Sequence, residues 1–263
     1  MNIQSFEELS ETSVERQPVL VVRHGRGRTG GSTFLDFLIQ RARRAGREVI
    51  IGDGDKGNPT LASFYPPEEK GGASQPISAD IADVSEWVTS LSGEMALRRA
   101  SLVLDLGGGD RVLAEHARDM NLPEFCEDVG AAALGVFMIG PDRDDFEHVL
   151  SIFRAGYFRA EHSILVLNYN LVKAGKNAVS AFEWLEGHPG YEEMLASGVA
   201  IRMEKLACME VMRAEGLSLN EAIERGRGKS SVPVDPARGY QIKVWMNKME
   251  KQFRTYGIEE WLP

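Results

Sequence analysis

The chain has 263 residues, and its 30 lysines and arginines against 39 aspartates and glutamates give a formal net charge of −9 at pH 7. An acidic chain does not coat nucleic acid in general, so any DNA contact needs a local basic patch. The two cysteines, Cys126 and Cys208, lie far apart without a Cys-x-x-Cys spacing, which excludes a disulfide framework and a zinc ribbon and fits a reducing cytoplasm.

The chain opens with a polar lead-in, residues 1–17, that lacks the apolar core of a signal peptide, so we expect a cytoplasmic protein. The longest apolar run, residues 131–139, is too short to span a bilayer, which predicts no membrane segment. Residues 18–263 contain no evident linker and predict a single domain, in which the part from about residue 171 is mostly helical.

An apolar, β-branched run, Val19–Val22, predicts a buried first strand. It leads into a glycine-rich turn, residues 25–31, after which Ser32 and Thr33 open a helix predicted to end near Ala45. Glycines let backbone N–H groups approach phosphate oxygens, and the helix dipole favours the negative charge. The order of strand, glycine turn and helix N-terminus therefore predicts a phosphate-binding site, although an ordinary βα turn has the same elements.

Strands and helices alternate along the rest of the chain. Strands are predicted at residues 48–52, 101–106, 131–139 and 163–167, with a short one at 199–202, and helices at 81–99, 111–119, 146–153, 178–186, 203–215, 219–225 and 236–253. Asp144 or Asp145 is expected to cap the helix at 146–153, and residues 66–76 are expected to form a loop. Because the strand runs are continuously apolar, the pattern predicts an α/β fold with a mostly parallel sheet and helices on both faces.

Polar side chains stand where four of these strands end. They are Ser32 and Thr33 after the first strand, Asp53 and Asp55 after the second, Asp105 after the third, and Asn168 and Asn170 after the fifth. In an open parallel sheet, ligands bind outside the carboxyl ends of the strands. A hydroxyl at a helix start can ligate Mg²⁺, a neighbouring carboxylate can hold that ion through water, and a second carboxylate can orient an attacking water. The strand ends therefore predict a site for a magnesium nucleotide.

The glycine turn resembles that of the ParA/MinD deviant-Walker P-loop ATPases. That family has Gly-Lys-Gly-Gly-x-Gly-Lys-Ser/Thr-Thr, and this chain has Gly25-Arg-Gly-Arg-Thr-Gly-Gly-Ser-Thr33. The end of the second strand, Asp53-Gly-Asp-Lys-Gly-Asn58, is similar to the family's Asp-x-Asp-Pro-Gln-Gly-Asn. The resemblance covers residues 18–170 and implies a SIMIBI-like P-loop NTPase fold.

The resemblance also implies a protein that binds ATP and Mg²⁺, forms a nucleotide-dependent homodimer, and acts in plasmid or chromosome partition, DNA mobilisation or division positioning, with DNA or a DNA-binding protein as partner. It implies a phosphate cradle of Gly27, Arg28, Thr29, Gly30, Gly31, Ser32 and Thr33, with Asn168 at the base and Arg26 at the signature lysine that reaches a nucleotide across the dimer. Asp55 would position water, and Ser32, Asp105 and Asp53 would hold Mg²⁺.

Two departures from the family's turn bear on activity. Gly31 replaces the lysine that contacts the β- and γ-phosphates, and Arg28 replaces a glycine. The loss of that lysine predicts weak or absent ATP hydrolysis unless another cation takes its place. Because guanidinium pairs well with phosphate, we expect Arg28 to do so within its own chain and Arg26 to do so across a dimer.

Two alternative functions use the same residues. Gly25-x-Gly-x-x-Gly30 is also the fingerprint of dinucleotide-binding folds, with Asp53 at the ribose, which predicts an NAD(P)-binding Rossmann-type protein but leaves Ser32 and Thr33 unexplained. The other alternative is a scaffold for protein–protein interaction that needs no nucleotide. DNA contact would have to come from residues 225–229 or from the basic side chains of the last helix, Lys243, Lys248, Lys251 and Arg254, which equally fit a solvated loop and an amphipathic helix.

Overall fold

Seven parallel strands form one sheet in a computed structural model of the chain, which describes residues 16–107, 110–226 and 228–263. The strands are β1 (Val19–His24), β2 (Val49–Asp53), β3 (Ala73–Ser74), β4 (Ser101–Asp105), β5 (Ala132–Ile139), β6 (His162–Asn168) and β7 (Gly198–Met203). Their order across the sheet is β3-β2-β4-β1-β5-β6-β7, and every pair of neighbours runs parallel. Since β4 lies between β1 and β2, the carboxyl ends of these three strands are adjacent.

Helices cover both faces of the sheet. Within the described residues they are α1 (Gly31–Arg44), α2 (Thr60–Phe64), α3 (Ile81–Arg98), α4 (Asp110–Asp119), α5 (Leu122–Asp128), α6 (Arg143–Ala155), α7 (Pro189–Leu195), α8 (Met209–Glu215), α9 (Leu219–Ile223) and α10 (Pro236–Tyr256). Val19 and Val21 of β1 join the core that includes α1, and Leu20 and Val22 join the core that includes α3. The predicted fold class, a parallel α/β sheet covered on both faces, is confirmed.

The C-terminal helix α10 packs against α1. The rings of Phe37 and Trp245 meet edge to face with their centroids 5.5 Å apart, and Phe34 meets Phe253 at 6.4 Å. The predicted amphipathic face of α10 is buried in the core with α1, while its lysines are exposed. None of the helices in the described ranges has the length and apolar character needed to cross a membrane.

One predicted helix of the C-terminal part is wrong, and a second begins later than predicted. Residues 178–186 contain only a short 3₁₀ turn, Glu183–Leu185, because the Asn177 side chain accepts hydrogen bonds from the backbone N–H groups of Val179 and Ser180 and so holds the segment in a turn. The helix predicted at 203–215 begins only at Met209, because Met203 pairs with Asn168 as the last residue of β7. The short strand predicted at 199–202 is confirmed within β7.

Other differences concern short elements and one cap. The loop predicted at 66–76 contains β3, and the sequence analysis missed α5, whose start is capped by the Asn121 side chain. The N-cap residue of α6 is Asp142 rather than Asp144 or Asp145. Those two carboxylates lie in the first turn of α6, where they complement the helix dipole, and Asp145 also accepts a hydrogen bond from the backbone N–H of Gly140.

Candidate functional site

The turn between β1 and α1 requires glycine at two of its positions. Gly25 has a φ of 127° and Gly30 a φ of 88°, both in the left-handed region. A Cβ at Gly25 would lie 2.6 Å from the backbone oxygen of Met138, and a Cβ at Gly30 would lie 2.9 Å from Cε of Met203. The turn is therefore wedged against β5 on one side and the ends of β6 and β7 on the other.

Polar side chains fix the shape of this turn. The Asn168 amide, at the end of β6, donates a hydrogen bond to the backbone oxygen of Thr29 at 2.7 Å. The Thr29 hydroxyl donates to the backbone oxygen of Arg26 at 2.8 Å, and both Thr29 and Asn168 are buried. Asn168, expected at the nucleotide base, thus also holds the turn against the sheet.

Next to the turn, the hydroxyl at the start of α1 forms a hydrogen bond with the carboxylate at the end of β4. Ser32 Oγ donates to Asp105 Oδ2 at 2.6 Å, and the backbone N–H of Gly107 donates to Asp105 Oδ1 at 3.1 Å. Asp55 also lies here, because a Cβ on Gly107 would be 2.9 Å from the Asp55 carboxyl carbon. The structure therefore brings Ser32, Asp105 and Asp55 to one edge of the sheet, as the sequence predicts.

These donors fit one kind of metal site. In the described part of the chain, no three His, Cys, Asp or Glu side chains are arranged to enclose a metal ion. A serine hydroxyl and one carboxylate instead suit Mg²⁺, which keeps several waters and is commonly held by one or two carboxylates together with substrate phosphates.

Asp53 is a buried carboxylate beside this edge, directly opposite Asp105 in the pairing of β2 with β4. Its oxygens accept hydrogen bonds from the backbone N–H groups of Asp55 at 3.2 Å and Ala62 at 2.9 Å. Burial, together with the charge of Asp105, raises the pKa of Asp53 to about 7. In this structure Asp53 holds the loop after β2 and the start of α2, and its predicted part in binding Mg²⁺ stays a prediction.

Arg23, in β1, is the main functional candidate that the sequence analysis missed. Its side chain is only 5% exposed, and its guanidinium donates to the backbone oxygens of Gly107 at 2.5 Å and Arg26 at 2.6 Å and to the Thr29 hydroxyl at 2.9 Å. The guanidinium also lies 3.8 Å from a carboxylate oxygen of Asp105. The signal for it was a charged residue directly after an apolar strand that was predicted to end at Val22.

The side chains of Arg26 and Arg28, the two arginines of the turn itself, have different neighbours from that of Arg23. Arg26 is about half exposed, and its guanidinium lies 3.9 Å from the Asp144 carboxylate and 3.8 Å from that of Asp145, at the start of α6. Arg28 is exposed, has a φ of 68° and lines a pocket on the α8 side of the turn. Among the described residues, the arginine that lies against Gly31 is Arg23.

An open pocket lies beside the turn, at the ends of β6 and β7. Its lining consists of Arg28, Gly30, Thr33, Asn168, Asn170, Leu171, Met203, Glu204, Leu206, Met209, Arg213 and Trp245. The Thr33 hydroxyl faces this pocket and lies 3.6 Å from the sulfur of Met209. Sequence reasoning missed its apolar wall, because Met203, Leu206 and Met209 have the same residue types and spacing as the core.

The basic residues considered for DNA contact form no compact patch in the described residues. The side chains of Lys243, Lys248, Lys251 and Arg254 in α10 are exposed, but Glu250 on the same helix makes ion pairs with Arg41 and Arg44 of α1. In the run at residues 225–229, Arg225 donates to the backbone oxygen of Val234, and residue 227 lies outside the described ranges.

Comparisons with known proteins find only distant likenesses. No protein-family model matches the chain, and no curated protein matches it significantly. The signal recognition particle receptor FtsY from Elizabethkingia anophelis, in complex with GDP, has 12% identity and a TM-score of 0.44 over 88% of this chain, which spans 64% of the receptor chain. The MinD cell division protein from Aquifex aeolicus has 14% identity and a TM-score of 0.41, over 88% of this chain and 97% of its own.

A nucleotide-binding protein from Archaeoglobus fulgidus, in complex with ADP, has 13% identity and a TM-score of 0.40, over 77% of this chain and 87% of its own. Likenesses of this size assign no ligand or activity to the present chain. A functional conclusion therefore has to come from the residues of the β1–α1 turn and the strand ends around it.

Proposed function

We propose that the chain is a P-loop protein that binds ATP with Mg²⁺ at the β1–α1 turn. The observation that carries this proposal is the 2.6 Å hydrogen bond from Ser32 to Asp105, which joins the first turn of α1 to the end of the neighbouring strand. A glycine turn at a helix N-terminus supplies N–H groups and a positive dipole for phosphates. Mg²⁺ prefers oxygen ligands, and Ser32 and Asp105 would supply such ligands in addition to the phosphate oxygens.

Each predicted residue then has a role. The turn from Gly27 to Thr33 surrounds the phosphates, and Ser32 and Asp105 hold Mg²⁺, with Asp53 behind them. Asp55, beside Gly107, orients the water that attacks the γ-phosphate, because phosphoryl transfer depends mainly on positioning and electrostatics. Since Gly31 removes the usual lysine, we expect hydrolysis to be weak or absent.

The pocket at the ends of β6 and β7 is the place for the base and ribose. It opens next to Gly30 and Thr33, and its lining combines apolar side chains with polar and charged ones, among them Asn170 and Glu204. Most small-molecule sites have this mixture, in which apolar surface supplies affinity and polar groups fix orientation.

The dinucleotide alternative loses its support from the fold. In a dinucleotide-binding sheet the order is 3-2-1-4-5-6, so the second strand is beside the first. Here β4 separates β1 from β2. The acid that would bind ribose, Asp53, is 1% exposed and accepts backbone hydrogen bonds with both oxygens.

We further propose that the protein acts in the cytoplasm as a nucleotide-dependent homodimer in partition or DNA mobilisation. This finer role is supported by the resemblance of the turn and of the end of β2 to the ParA/MinD family. Arg26 would leave Asp144 and Asp145 to reach the nucleotide of a partner chain, while Arg28 stays with its own. Arg26→Ala should then reduce ATP-dependent dimerisation more than ATP affinity, and Arg28→Ala the reverse, in sedimentation and titration experiments.

The deciding experiment is calorimetric titration of the full chain with ATP, ADP and NAD, each with and without Mg²⁺. We expect ATP to bind, Mg²⁺ to strengthen binding, and Ser32→Ala to remove most of the effect of Mg²⁺. Tight binding of NAD without binding of ATP would contradict the proposal. Binding of neither would favour a nucleotide-free scaffold.

A further inference from the structure

With Arg23 in its observed position, any side chain at position 31 would collide with its guanidinium. A Cβ on Gly31 would lie 2.9 Å from both Cδ and Cζ of Arg23 and closer still to Nε. In the P-loop family that this turn resembles, the lysine stands at the position of Gly31. The space in which that lysine side chain would begin is therefore filled by the guanidinium of a residue from β1.

One nitrogen of this guanidinium has no partner. Nη1 and Nη2 donate to the oxygens around them, but Nε of Arg23 is buried and makes no hydrogen bond to any described residue. An unpaired buried donor costs free energy, so such groups usually have a partner in the functional state. Nε is also the atom nearest to the Cβ position of Gly31, so it faces the first turn of α1.

We propose that Arg23 is the phosphate-binding cation of this turn and that Gly31 is glycine to make room for it. The charge that other P-loops supply from the first residues of the helix is here supplied from β1, and Nε is the donor left for a phosphate oxygen. This inference rests on the proposed nucleotide site. It assigns to Arg23 the role that the sequence alone gave to Arg28.

The ion pair with Asp105 explains how the positive charge of Arg23 can stay buried when no ligand is bound. Arg23 and Asp105 are both nearly fully buried, and each compensates the other across 3.8 Å. With a magnesium nucleotide bound, Asp105 would serve both Mg²⁺ and Arg23, and a phosphate oxygen would accept the free hydrogen bond of the guanidinium. Arginine suits this place better than lysine, because its planar fork donates to Gly107, Thr29 and a phosphate in fixed directions.

The test moves the positive charge from β1 to the first turn of α1, where the P-loop family that this turn resembles carries it. Arg23→Gln, Gly31→Lys and the double variant Arg23→Ala/Gly31→Lys are titrated with ATP·Mg²⁺ and with inorganic tripolyphosphate, and their thermal unfolding is recorded. Arg44→Gln serves as the matched control, because it removes one arginine from the C-terminal end of α1, far from the turn.

We expect Arg23→Gln to weaken both ligands by roughly tenfold to a hundredfold, the usual cost of losing one charge-assisted contact. Gly31→Lys alone should lower the melting temperature, because the new side chain meets Arg23. The double variant should recover binding to within about fivefold of the wild-type chain. Arg44→Gln should leave both affinities unchanged.

The other outcomes separate the two proposals. If the wild-type chain binds both ligands and Arg23→Gln binds them equally well, the role of Arg23 is overturned while the nucleotide site stands. If only the double variant binds, Arg23 closes the site instead of serving it. If neither the wild-type chain nor any variant binds either ligand, the nucleotide site itself is wrong.

Discussion

The two halves of the proposed nucleotide site are built in opposite ways. The phosphate half, at the ends of β1, β2 and β4, consists of buried charged and polar groups that already bond to one another, such as Arg23, Ser32 and Asp105. The base half, at the ends of β6 and β7, is an open pocket whose lining combines buried apolar side chains such as Met203 with partly exposed polar ones such as Asn170.

This difference predicts different responses to substitution. A buried charge that loses its partner destabilises the folded state, so changes in the phosphate half should lower both binding and stability. Side chains at the mouth of the base half are partly exposed and satisfy no buried charge, so changes there should lower binding alone. The predictions below are ordered from the largest expected effect to the smallest.

Asp105→Ala should have the largest effect. It removes the counter-charge of buried Arg23, and breaking a buried pair in this way costs about 3 kcal/mol of the free energy of unfolding. The measurement is urea unfolding of the ligand-free chain. Asp55→Ala, which removes a half-buried carboxylate that makes no ion pair with another described residue, is the control and should cost less than about 1 kcal/mol. Equal stability of the two variants would contradict the buried-pair account.

Asp53→Asn should flatten the dependence of stability on pH. The pKa of Asp53 is raised to about 7, so between about pH 4 and 7 the folded state holds a proton that the unfolded state has lost, and stability falls as the pH rises. We expect the variant to lose most of this pH-dependent decrease in the free energy of unfolding, measured by urea unfolding at several pH values.

Asp36→Asn is the matched control for this pH experiment. Asp36 is also buried, and it accepts hydrogen bonds from Tyr65 and from the backbone N–H of Leu219, but burial raises its pKa only to about 6. Its effect on the slope should therefore end near pH 6, whereas that of Asp53 continues to pH 7. An Asp53→Asn profile parallel to wild type above pH 6 would contradict the assignment.

Asn170→Trp should weaken ATP binding by roughly tenfold, about 1.4 kcal/mol, while leaving tripolyphosphate binding unchanged. Asn170 is partly exposed at the mouth of the pocket, so an indole there takes the space of the base without disturbing the core. Competition titrations with both ligands measure the difference, with Asn170→Ala as control. Equal loss for both ligands would mean that the pocket does not hold the base.

Arg26→Ala should have the smallest effect on stability, within about 0.5 kcal/mol, because its ion pairs with Asp144 and Asp145 are long and its own side chain is about half exposed. Thermal unfolding of the ligand-free chain measures it, and Asp144→Ala should behave alike. A loss above about 1 kcal/mol would show that these pairs hold the turn in place.

The sequence was sufficient to predict the parallel fold and to predict that Asp55 and Asp105 lie at one edge of the sheet. Parallel strands end at the same side of a sheet, so the positions of Asp105 after β4 and Ser32 after β1 predict that the two meet. The order of strands was not predictable, because each apolar run looks alike. Arg23 was missed since a single charged residue in a strand has no periodic signal, and its partners come from distant turns.

The apolar wall of the base pocket was missed for a related reason. Met203, Leu206 and Met209 belong to the buried core and also line the pocket, and residue type does not show which core residues border a pocket. The wrong helix at 178–186 has a local cause, because the hydrogen bonds of the Asn177 side chain outweigh the helical periodicity of the residues that follow it.

The bond from Asn168 to Thr29 also has a consequence for the order of folding. It joins residues 139 positions apart, while Ser32 and Asp105 are 73 apart and Arg23 and Gly107 are 84 apart. Long chain segments must be closed before such contacts form, and this closure is slow. The turn can therefore take its final shape only after β4 and β6 have docked, and a chain still emerging from the ribosome has β1 and α1 before it has a site.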